Sequence, residues 1–342
     1  MINCGELTVE QFLEEWHNSS DYIRVQTSGS TGKPKQMLVE KRRMLNSARI
    51  TCDFLGLKAG DTALLCMSLD YIAGKMMVVR SIERGLRLIC VEPSGHPLAV
   101  THGVRNDVQS DCTSFLTPCV TFAAMVPMQV WNSLQVPEER ERLRQIRHLI
   151  IGGGAIDEAM AAELRTFPNA VWSTYGMTET LSHIALRRLS GPEASDFYTP
   201  FPSVKISLSD EGCLVIDAPQ VCAEQLITND IAEITTDGRF RILGRKDNVI
   251  CSGGIKIQIE EVERQLESHM RVPYLLSKRP DAKFGEIAVL LTEGPIAEAR
   301  TICERVLPKF HQPRFYLQVD HIPLTETSKP ARKQAELLAR KD

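Results

Sequence analysis

The segment Thr27–Lys35, TSGSTGKPK, decides how this chain is interpreted. It contains two glycines, four hydroxyl side chains and two lysines, and it follows the strand-like run Tyr22–Gln26. A loop of this composition can turn backbone N–H groups and hydroxyls toward a polyphosphate while its lysines balance the charge. We therefore predict a loop that binds a nucleotide triphosphate. The residues expected to contact the phosphates are Thr27, Ser28, Ser30 and Thr31, with Lys33 or Lys35 as counter-charges.

Two other interpretations of this loop compete with a phosphate site. The Walker A pattern needs four residues between its first glycine and the Gly-Lys pair, whereas only Ser30 and Thr31 separate Gly29 from Gly32. That spacing excludes a Walker A loop. A solvated surface turn rich in Gly, Ser and Thr would remain an equal alternative if the segment stood alone.

Three further segments come later in the chain, in order: STYGMTET at Ser173–Thr180, GRKDNVICSGGIKI at Gly244–Ile257, and TETSKPARKQ at Thr325–Gln334. Together with the loop, they resemble the motifs of the acyl-adenylate-forming enzymes, a superfamily of acyl-CoA synthetases, adenylation domains and luciferases. The resemblance runs from about Arg24 to the last residue. Members of that superfamily carry many more residues before the loop, so we expect an abbreviated large domain with a more open pocket.

Composition excludes several classes of protein. The chain has 342 residues, 43% of them hydrophobic, and a formal net charge of −3, which gives no sign of a nucleic-acid footprint. The polar, acidic start MINCGELTVEQFLEEW lacks the basic and apolar segments of a signal peptide, and no apolar run is long enough to span a membrane. Ten scattered cysteines without a C-x-x-C pair argue against structural zinc or disulfides. We expect a cytoplasmic protein with reduced thiols.

The pattern of elements predicts an α/β fold. Strand-like runs alternate with helix-like runs up to about residue 200, which favours a wound sheet, and short strands with turns from Lys205 suggest a small β subdomain. The predicted strands are Thr62–Met67, Leu86–Val91, His148–Ile151 and Ala170–Ser173, and the predicted helices are Met44–Leu55, Ile72–Arg84 and Asp157–Thr166.

A compact α+β unit is expected after Gly244-Arg245-Lys246-Asp247, with helices near Ile259–His269 and Pro295–Val306 and strands at Glu286–Leu291 and Arg314–Val319. We expect two domains: residues 1–245, which bind ATP and the acid, and residues 246–342, a small mobile lid. The polar, charged boundary suits a mechanical joint better than a loose tether.

The resemblance assigns roles around Tyr175. It places the Tyr175 ring, with Gly176, against adenine, the Thr178 hydroxyl on the α-phosphate, and Glu179 on Mg²⁺. A hard cation that bridges phosphates does favour carboxylate oxygen and water. A glutamate at a helix start can also act only as a partner of the helix dipole.

Upstream and downstream residues complete the expected nucleotide pocket. Gly153 and Gly154 lie in a strand-to-helix loop that matches the adenine pocket of the family, although a tight connection alone would explain them. By the same resemblance Asp230 accepts hydrogen bonds from the ribose and Arg245 adds a further ribose contact, with a surface ion pair as the alternative for Arg245. Asn229 stands where the family has glycine, and we expect it to keep the turn because Asn tolerates positive φ.

The C-terminal motifs imply a lid that acts in two positions. Lys329 matches the catalytic lysine of the family, and a flexible ammonium there can hold both the acid's carboxylate and the α-phosphate. Asp247 matches the hinge. Ser252, Gly253 and Gly254 match the loop that approaches CoA after rotation. Cys251, beside them, is expected to be a small packed hydrophobe.

Two segments narrow the resemblance to the o-succinylbenzoate–CoA ligases of menaquinone biosynthesis: YIAGKMMVVRS at Tyr71–Ser81 and LSHIALR at Leu181–Arg187. Their acid carries two carboxylates, so one needs a counter-charge or polar pocket while the other is activated. Lys75 and His183 are the candidates. Lys75 can equally extend outward from a buried helix face, and His183 can be a satisfied core histidine.

Three functional classes are consistent with these motifs. The favoured one is an acid–CoA ligase that uses ATP, Mg²⁺ and CoA; the second is a free-standing adenylating enzyme for another acid or for a carrier-protein thiol; the third is a nucleotide-binding protein without catalysis. The sequence predicts no nucleic-acid partner and leaves the oligomeric state open.

Overall fold

The computed structural model describes residues 7–26, 36–99, 120–154, 156–325 and 329–340. Four sheets are present within these ranges, of two, seven, four and five strands. The predicted phosphate loop, Thr27–Lys35, lies outside the described residues, and so do Thr327 and Ser328 beside Lys329.

The largest sheet has seven strands in the order β4-β3-β5-β6-β7-β8-β9. The neighbours from β4 to β7 are parallel, and β8 and β9 add antiparallel pairs. This arrangement confirms the predicted wound α/β class. Its strands are β3 (Thr62–Leu65), β4 (Arg87–Cys90), β5 (Phe122–Met125), β6 (His148–Ile151), β7 (Ala170–Gly176), β8 (His183–Arg188) and β9 (Thr199–Pro200).

Helices cover both faces of this sheet because successive strand residues point to opposite sides. Ala63 and Leu65 belong to one hydrophobic core, with α1 to α3, while Leu64 belongs to a second, with α4 to α6. The helices are α1 (Val9–His17), α2 (Lys41–Leu55), α3 (Ile72–Arg84), α4 (Pro127–Gln135), α5 (Pro137–Gln145) and α6 (Glu158–Arg165). Asp157, predicted as helical, is the N-cap of α6 and accepts from the Met160 N–H at 2.7 Å.

A two-stranded antiparallel hairpin flanks the predicted phosphate loop. Its strands are β1 (Tyr22–Gln26) and β2 (Gln36–Glu40), and their register pairs Gln26 with Gln36 at the end where the loop joins them. Helix α1 packs beside this hairpin, with Phe12 fully buried and stacked on Trp16 at 6.0 Å between ring centroids.

The small β subdomain expected from Lys205 onward is an antiparallel sheet of four sequential strands. The turns predicted at residues 210–212 and 236–239 join its first and last pairs of strands. The strands are β10 (Lys205–Leu208), β11 (Cys213–Asp217), β12 (Leu226–Ile234) and β13 (Phe240–Arg245).

Residues from Val249 onward form the five-stranded sheet and have their own hydrophobic cores. The separation of these cores supports the predicted division at residue 246, which stays a prediction. The elements are β14 (Val249–Ser252), β15 (Ile255–Gln258), α7 (Ile259–Glu267), β16 (Tyr274–Asp281), β17 (Gly285–Thr292), α8 (Ile296–Val306), β18 (Phe315–Gln318) and α9 (Arg332–Ala339).

Truncating Phe12 tests whether α1 is part of the main core. We expect Phe12→Ala to lower the free energy of unfolding by about 3 to 5 kcal/mol, as for other buried aromatic truncations. Glu14, exposed on the same helix, provides the control. Glu14→Ala should change the free energy of unfolding by less than about 0.5 kcal/mol. Denaturant unfolding followed by circular dichroism measures both. Equal, small effects would show that α1 is dispensable.

Candidate active site

The candidate site lies at the carboxyl ends of the parallel strands β5, β6 and β7, where open α/β sheets usually bind ligands. The glycine loop after β6 is packed tightly there. A Cβ on Gly152 would meet Thr174 Oγ1 at 2.4 Å, and one on Gly154 would meet Pro127 Cγ at 3.3 Å, while Gly153 has φ +83°. Gly152 is the most constrained of the three by packing, and the sequence did not single it out.

A tight turn follows β7 and presents Thr178 and Glu179. Gly176 allows it, because a Cβ there would lie 2.3 Å from the Ser182 carbonyl oxygen and 2.4 Å from His183 Cα. Thr180, buried in the same turn, donates from its hydroxyl to the Ser182 carbonyl at 2.7 Å. Glu179 is exposed in a short 3₁₀ turn, Thr178–Thr180, so its carboxylate is accessible from solvent.

Asp230 gathers the residues expected around the ribose. Its Oδ2 accepts from the Tyr175 hydroxyl at 2.6 Å and its Oδ1 accepts from Arg245 Nη1 at 3.1 Å. Burial and the neighbouring Asp230 carboxylate raise the pKa of Tyr175, which keeps the phenol protonated and donating. The three residues come from β7, β12 and β13, so this cluster joins the central sheet to the β subdomain.

The predicted hinge residue is tied to the same cluster. Asp247 Oδ2 accepts from Arg245 Nη2 at 2.7 Å and from Asn229 Nδ2 at 3.3 Å. Asn229 lies within β12 and is not at positive φ, which among the described non-glycine residues occurs only at Leu181. The expectation that Asn229 keeps a left-handed turn is therefore wrong. Its side chain instead reaches the hinge.

The structure corrects one of the two interpretations of Lys75. Lys75 is buried, so it does not extend outward. Its ammonium donates to the Arg24 carbonyl at 2.7 Å and lies 5.9 Å from the centroid of the Phe12 ring. Burial lowers its pKa. Lys75 thus fixes β1 close to the start of the predicted phosphate loop, and its contacts are with different residues from those of His183.

His183 is buried, and both of its ring nitrogens lie within hydrogen-bond distance of a hydroxyl. Its Nε2 lies 3.1 Å from Thr51 Oγ1 and its Nδ1 lies 3.2 Å from Ser182 Oγ. The Thr51 hydroxyl also lies 3.1 Å from the Ser47 carbonyl, to which it can donate. Burial, with the nearby Arg80 charge, lowers the pKa of His183 well below its usual value. A neutral imidazole at this place is a poor counter-charge for an acid.

Arg80 is the residue that sequence reasoning missed. It is the largest side chain among the fully buried ones in the described part of the chain. Its Nη2 donates to Ser182 Oγ at 2.7 Å, its Nε has no hydrogen-bond partner, and no described carboxylate forms an ion pair with it. Burial lowers its pKa to about 10. A buried guanidinium without a counter-charge is suited to bind an anionic ligand.

The loop at Gly253 and Gly254 is a tight hairpin turn. Ser252 pairs with Ile255, and both glycines have positive φ, +59° and +84°, as a type I′ turn requires. The Gly253 N–H donates to the Phe284 carbonyl at 2.8 Å. Cys251 is exposed, so its predicted role as a packed hydrophobe is wrong.

Lys329 lies in the loop before α9. Its N–H donates to Thr325 Oγ1 at 3.1 Å and its carbonyl accepts from the Thr325 N–H at 2.7 Å. Burial lowers the pKa of its ammonium, and no described carboxylate pairs with it. The described contacts do not join Lys329 to the Asp230 cluster, so the structure brings together Tyr175, Asp230, Arg245 and Asp247 and leaves Lys329 apart from them.

Comparison with known proteins decides the family. A family model described as AMP-binding enzyme matches residues 14–222, more than half of the chain. This chain belongs to the AMP-binding enzyme family.

Among the helices that the structure describes, none has the length and apolar character needed to cross a membrane.

Individual relatives of this AMP-binding enzyme are distant in sequence. The 2-succinylbenzoate–CoA ligase of Bacillus cereus (strain Q1) is 23% identical, over 96% of this chain and 73% of the relative. An acyl-CoA synthetase (AMP-forming)/AMP-acid ligase II-like protein from Dyadobacter fermentans is 31% identical with a TM-score of 0.62, covering 96% of this chain and 92% of that one. O-succinylbenzoate CoA synthetase from Bacillus subtilis, in complex with the intermediate OSB-AMP, is 25% identical with a TM-score of 0.74, covering 91% of this chain and 68% of that one.

Removing the buried Arg80 charge should stabilise the unliganded enzyme. We expect Arg80→Met to raise the free energy of unfolding by about 1 to 3 kcal/mol, because a hydrophobic side chain of similar length needs no counter-charge. Arg84 on the same helix is the matched control, since it pairs with Asp53 at 2.5 Å and donates to the Leu57 carbonyl at 3.0 Å. Arg84→Met should be destabilising. If both variants are equally destabilising in thermal and denaturant unfolding, the Arg80 guanidinium supports the fold.

Proposed function

We propose that this AMP-binding enzyme is an ATP-dependent acid–CoA ligase whose acid is o-succinylbenzoate, as in menaquinone biosynthesis. In the first step a carboxylate oxygen of the acid bonds to the α-phosphorus of ATP, and pyrophosphate leaves. In the second step the CoA sulfur bonds to the acyl carbon, and AMP leaves. The family and the relatives support this reaction. The observation that carries the nucleotide part is the cluster of Tyr175, Asp230 and Arg245.

The cluster is arranged for a nucleoside. Asp230 offers acceptor oxygens that two ribose hydroxyls would use, and Arg245 is held beside it by Asp247. The Tyr175 side chain, fixed through its hydroxyl, would offer its ring to adenine next to the loop with Gly153 and Gly154. These contacts position the nucleotide, and positioning is a large part of catalysis when two anions must meet.

The phosphates and the cation would lie at the turn after β7. The loop Thr27–Lys35, predicted to bind the phosphates, lies outside the described residues. Thr178 would donate to the α-phosphate, and Glu179 would bind Mg²⁺. The described residues contain no group of three His, Cys, Asp or Glu side chains arranged to hold a metal ion. A cation at Glu179 would therefore complete its shell with phosphate oxygens and water, which Mg²⁺ prefers in nucleotide sites.

The burial of Arg80 favours a substrate acid that carries a second carboxylate. Arg80 is buried on α3 without an acidic partner among the described residues. It donates to the Ser182 hydroxyl, which in turn lies 3.2 Å from His183 Nδ1. A ligand carboxylate would neutralise the guanidinium and could accept two of its N–H groups. If Arg80 binds the second carboxylate, Lys75 and His183 do not supply the counter-charge. Lys75 instead holds the Arg24 carbonyl, and His183 lies against Ser182.

Two positions of the C-terminal unit would serve the two steps. We propose residues 1–245 as the adenylating domain and residues 246–342 as the lid, with Asp247 in the joint. Lys329 would contact the acid and α-phosphate in the first step, and the turn at Ser252, Gly253 and Gly254 would approach CoA in the second. Because both cosubstrates are found in the cytoplasm, we propose that compartment for the enzyme.

A panel of acids tests the proposal. Pyrophosphate release should be greatest with o-succinylbenzoate, lower with analogues that lack either of its carboxylates, and followed by the CoA thioester. Arg80→Met should reduce the rate with the natural acid and abolish its preference over the one-carboxylate analogue that keeps the reacting group. Release without a CoA thioester would point to a carrier-protein thiol. No release with any acid, despite ATP binding, would contradict a ligase.

Lys329→Ala should lower the rate of adenylation by about two to three orders of magnitude, the scale for losing one preorganised charge partner of a transition state. Thioester formation from supplied acyl-adenylate should change much less, because Lys329 would be turned away in that step. Separate assays of pyrophosphate release and of thioester production measure the two rates. Equal losses in a folded variant would argue against two lid positions.

Asp247→Pro should affect the second step more than the first. Proline restricts φ and removes an N–H, so the joint should be held in one orientation. The control is Asp247→Ala, which removes the same contacts to Arg245 and Asn229 but leaves the backbone free. We expect thioester production to fall far more than pyrophosphate exchange in the proline variant only. Proportional losses in both assays would show that Asp247 is not the hinge.

A further inference from the structure

A paired guanidinium and carboxylate connect three elements of the C-terminal unit close to Lys329. Arg332, the first residue of α9, donates from Nη1 to Glu263 Oε1 at 2.7 Å and from Nη2 to Glu263 Oε2 at 2.5 Å. Glu263 lies on α7. The pair is bidentate, the geometry that gives Arg–carboxylate contacts their directional specificity.

Backbone groups of β16 complete this pair. Arg332 Nη1 also donates to the Leu276 carbonyl at 3.0 Å, and Glu263 Oε1 accepts from the Leu276 N–H at 2.8 Å. The side chains are only 26% and 19% exposed. The proximity of Glu263 raises the pKa of Arg332 against the opposing effect of burial. A pair that is largely removed from water and shares its remaining hydrogen bonds with the backbone fixes α9 against α7 and β16.

The segment that carries Lys329 is closed on itself just before this pair. Leu324 and Pro330 form an antiparallel bridge, and the Ala331 N–H donates to the Pro323 carbonyl at 2.9 Å. Thr325 and Lys329 are joined by their two hydrogen bonds. The ends of the segment are therefore fixed to each other. The segment is attached to the rest of the unit on both sides, by the Ile322 N–H, which donates to Glu293 Oε1 at 2.8 Å, and by Arg332 at the start of α9.

We propose that Glu263 and Arg332 are positioning residues for Lys329. The inference rests on the proposed function, in which Lys329 must lie between two anions to within a fraction of an ångström. Arg332 is three residues from Lys329, and its side chain is bound to Glu263 and to the Leu276 carbonyl. Its effect on the reaction passes through the placement of the ammonium.

The alternative is a general structural role, in which the pair holds the C-terminal unit together and its loss affects every activity. The two roles differ in the half-reaction affected. Positioning of Lys329 concerns adenylation only, whereas general loosening of the sheet would also impair the approach of CoA through the turn at Gly253 and Gly254.

Arg332→Gln provides the test, with Arg340→Gln as the matched control. Arg340 lies just after α9 and pairs with Glu336 at 2.5 Å on the exposed surface. We expect Arg332→Gln to lower adenylation by about 10- to 100-fold, the scale for a small misplacement of a catalytic group. Thioester formation from supplied acyl-adenylate should stay within about twofold of the parent rate, and Arg340→Gln should not affect either step.

A double-variant comparison separates positioning from other effects. In a Lys329→Ala background, Arg332→Gln should cause no further loss of adenylation, because residues that act through one group are not additive. With Lys329 present, Arg332→Lys keeps the charge but not the paired geometry. Its adenylation rate should therefore lie between those of Arg332→Gln and the parent enzyme. A further large loss in the Lys329→Ala background would overturn the inference.

Amide hydrogen exchange gives a readout that needs no activity. In Arg332→Gln the amides of Lys329 and Ala331 should exchange faster, while those of β17 remain protected. Unchanged exchange at these two amides, or loss of protection throughout the C-terminal unit, would overturn the inference even if the parent enzyme adenylates no acid. If the parent enzyme adenylates no acid, that result contradicts the proposed function and leaves the exchange test of Arg332 valid.

Discussion

The carboxylate of Asp230 is the interaction on which the arrangement of the candidate site depends. It accepts from Tyr175 of the central sheet and from Arg245 of the β subdomain, and Arg245 in turn holds Asp247. Two sheets and the start of the C-terminal unit therefore meet at one side chain. Such a network is costly to leave partly satisfied, because each remaining buried polar group would lose its partner.

The buried and partly buried cations divide into those that the protein pairs or hydrogen-bonds and those that have no carboxylate partner among the described residues. Lys75 donates to the Arg24 carbonyl, and Arg332 is paired with Glu263, so both stabilise the fold. Arg80 and Lys329 have no described carboxylate partner. In the proposed reaction these two meet the anions of the acid and of the α-phosphate, so the unliganded protein is less stable than its bound form.

The sequence predicted those helices and strands whose formation depends on the pattern of neighbouring residues. The helix at Ile72–Arg84 and the strand at His148–Ile151 agree with the structure residue for residue, and motif order indicated the Asp230 cluster. Local patterns did not reveal α4, α5 or β16 as separate elements. They also missed Arg80, since its meaning comes from burial and from Ser182, a hundred residues away in the chain. Asn229 was misread for the same reason, because its partner Asp247 is distant in sequence.

The C-terminal unit keeps its own hydrophobic interior, distinct from the two cores of the central sheet. A change in its orientation therefore disturbs surface contacts and leaves both interiors packed. The same property bears on inheritance. A gene segment that encodes a self-packed unit can be recombined with a related partner without redesigning the cores, so this C-terminal part of the chain is free to diverge, or to be exchanged, at a different pace from the part that carries the central sheet.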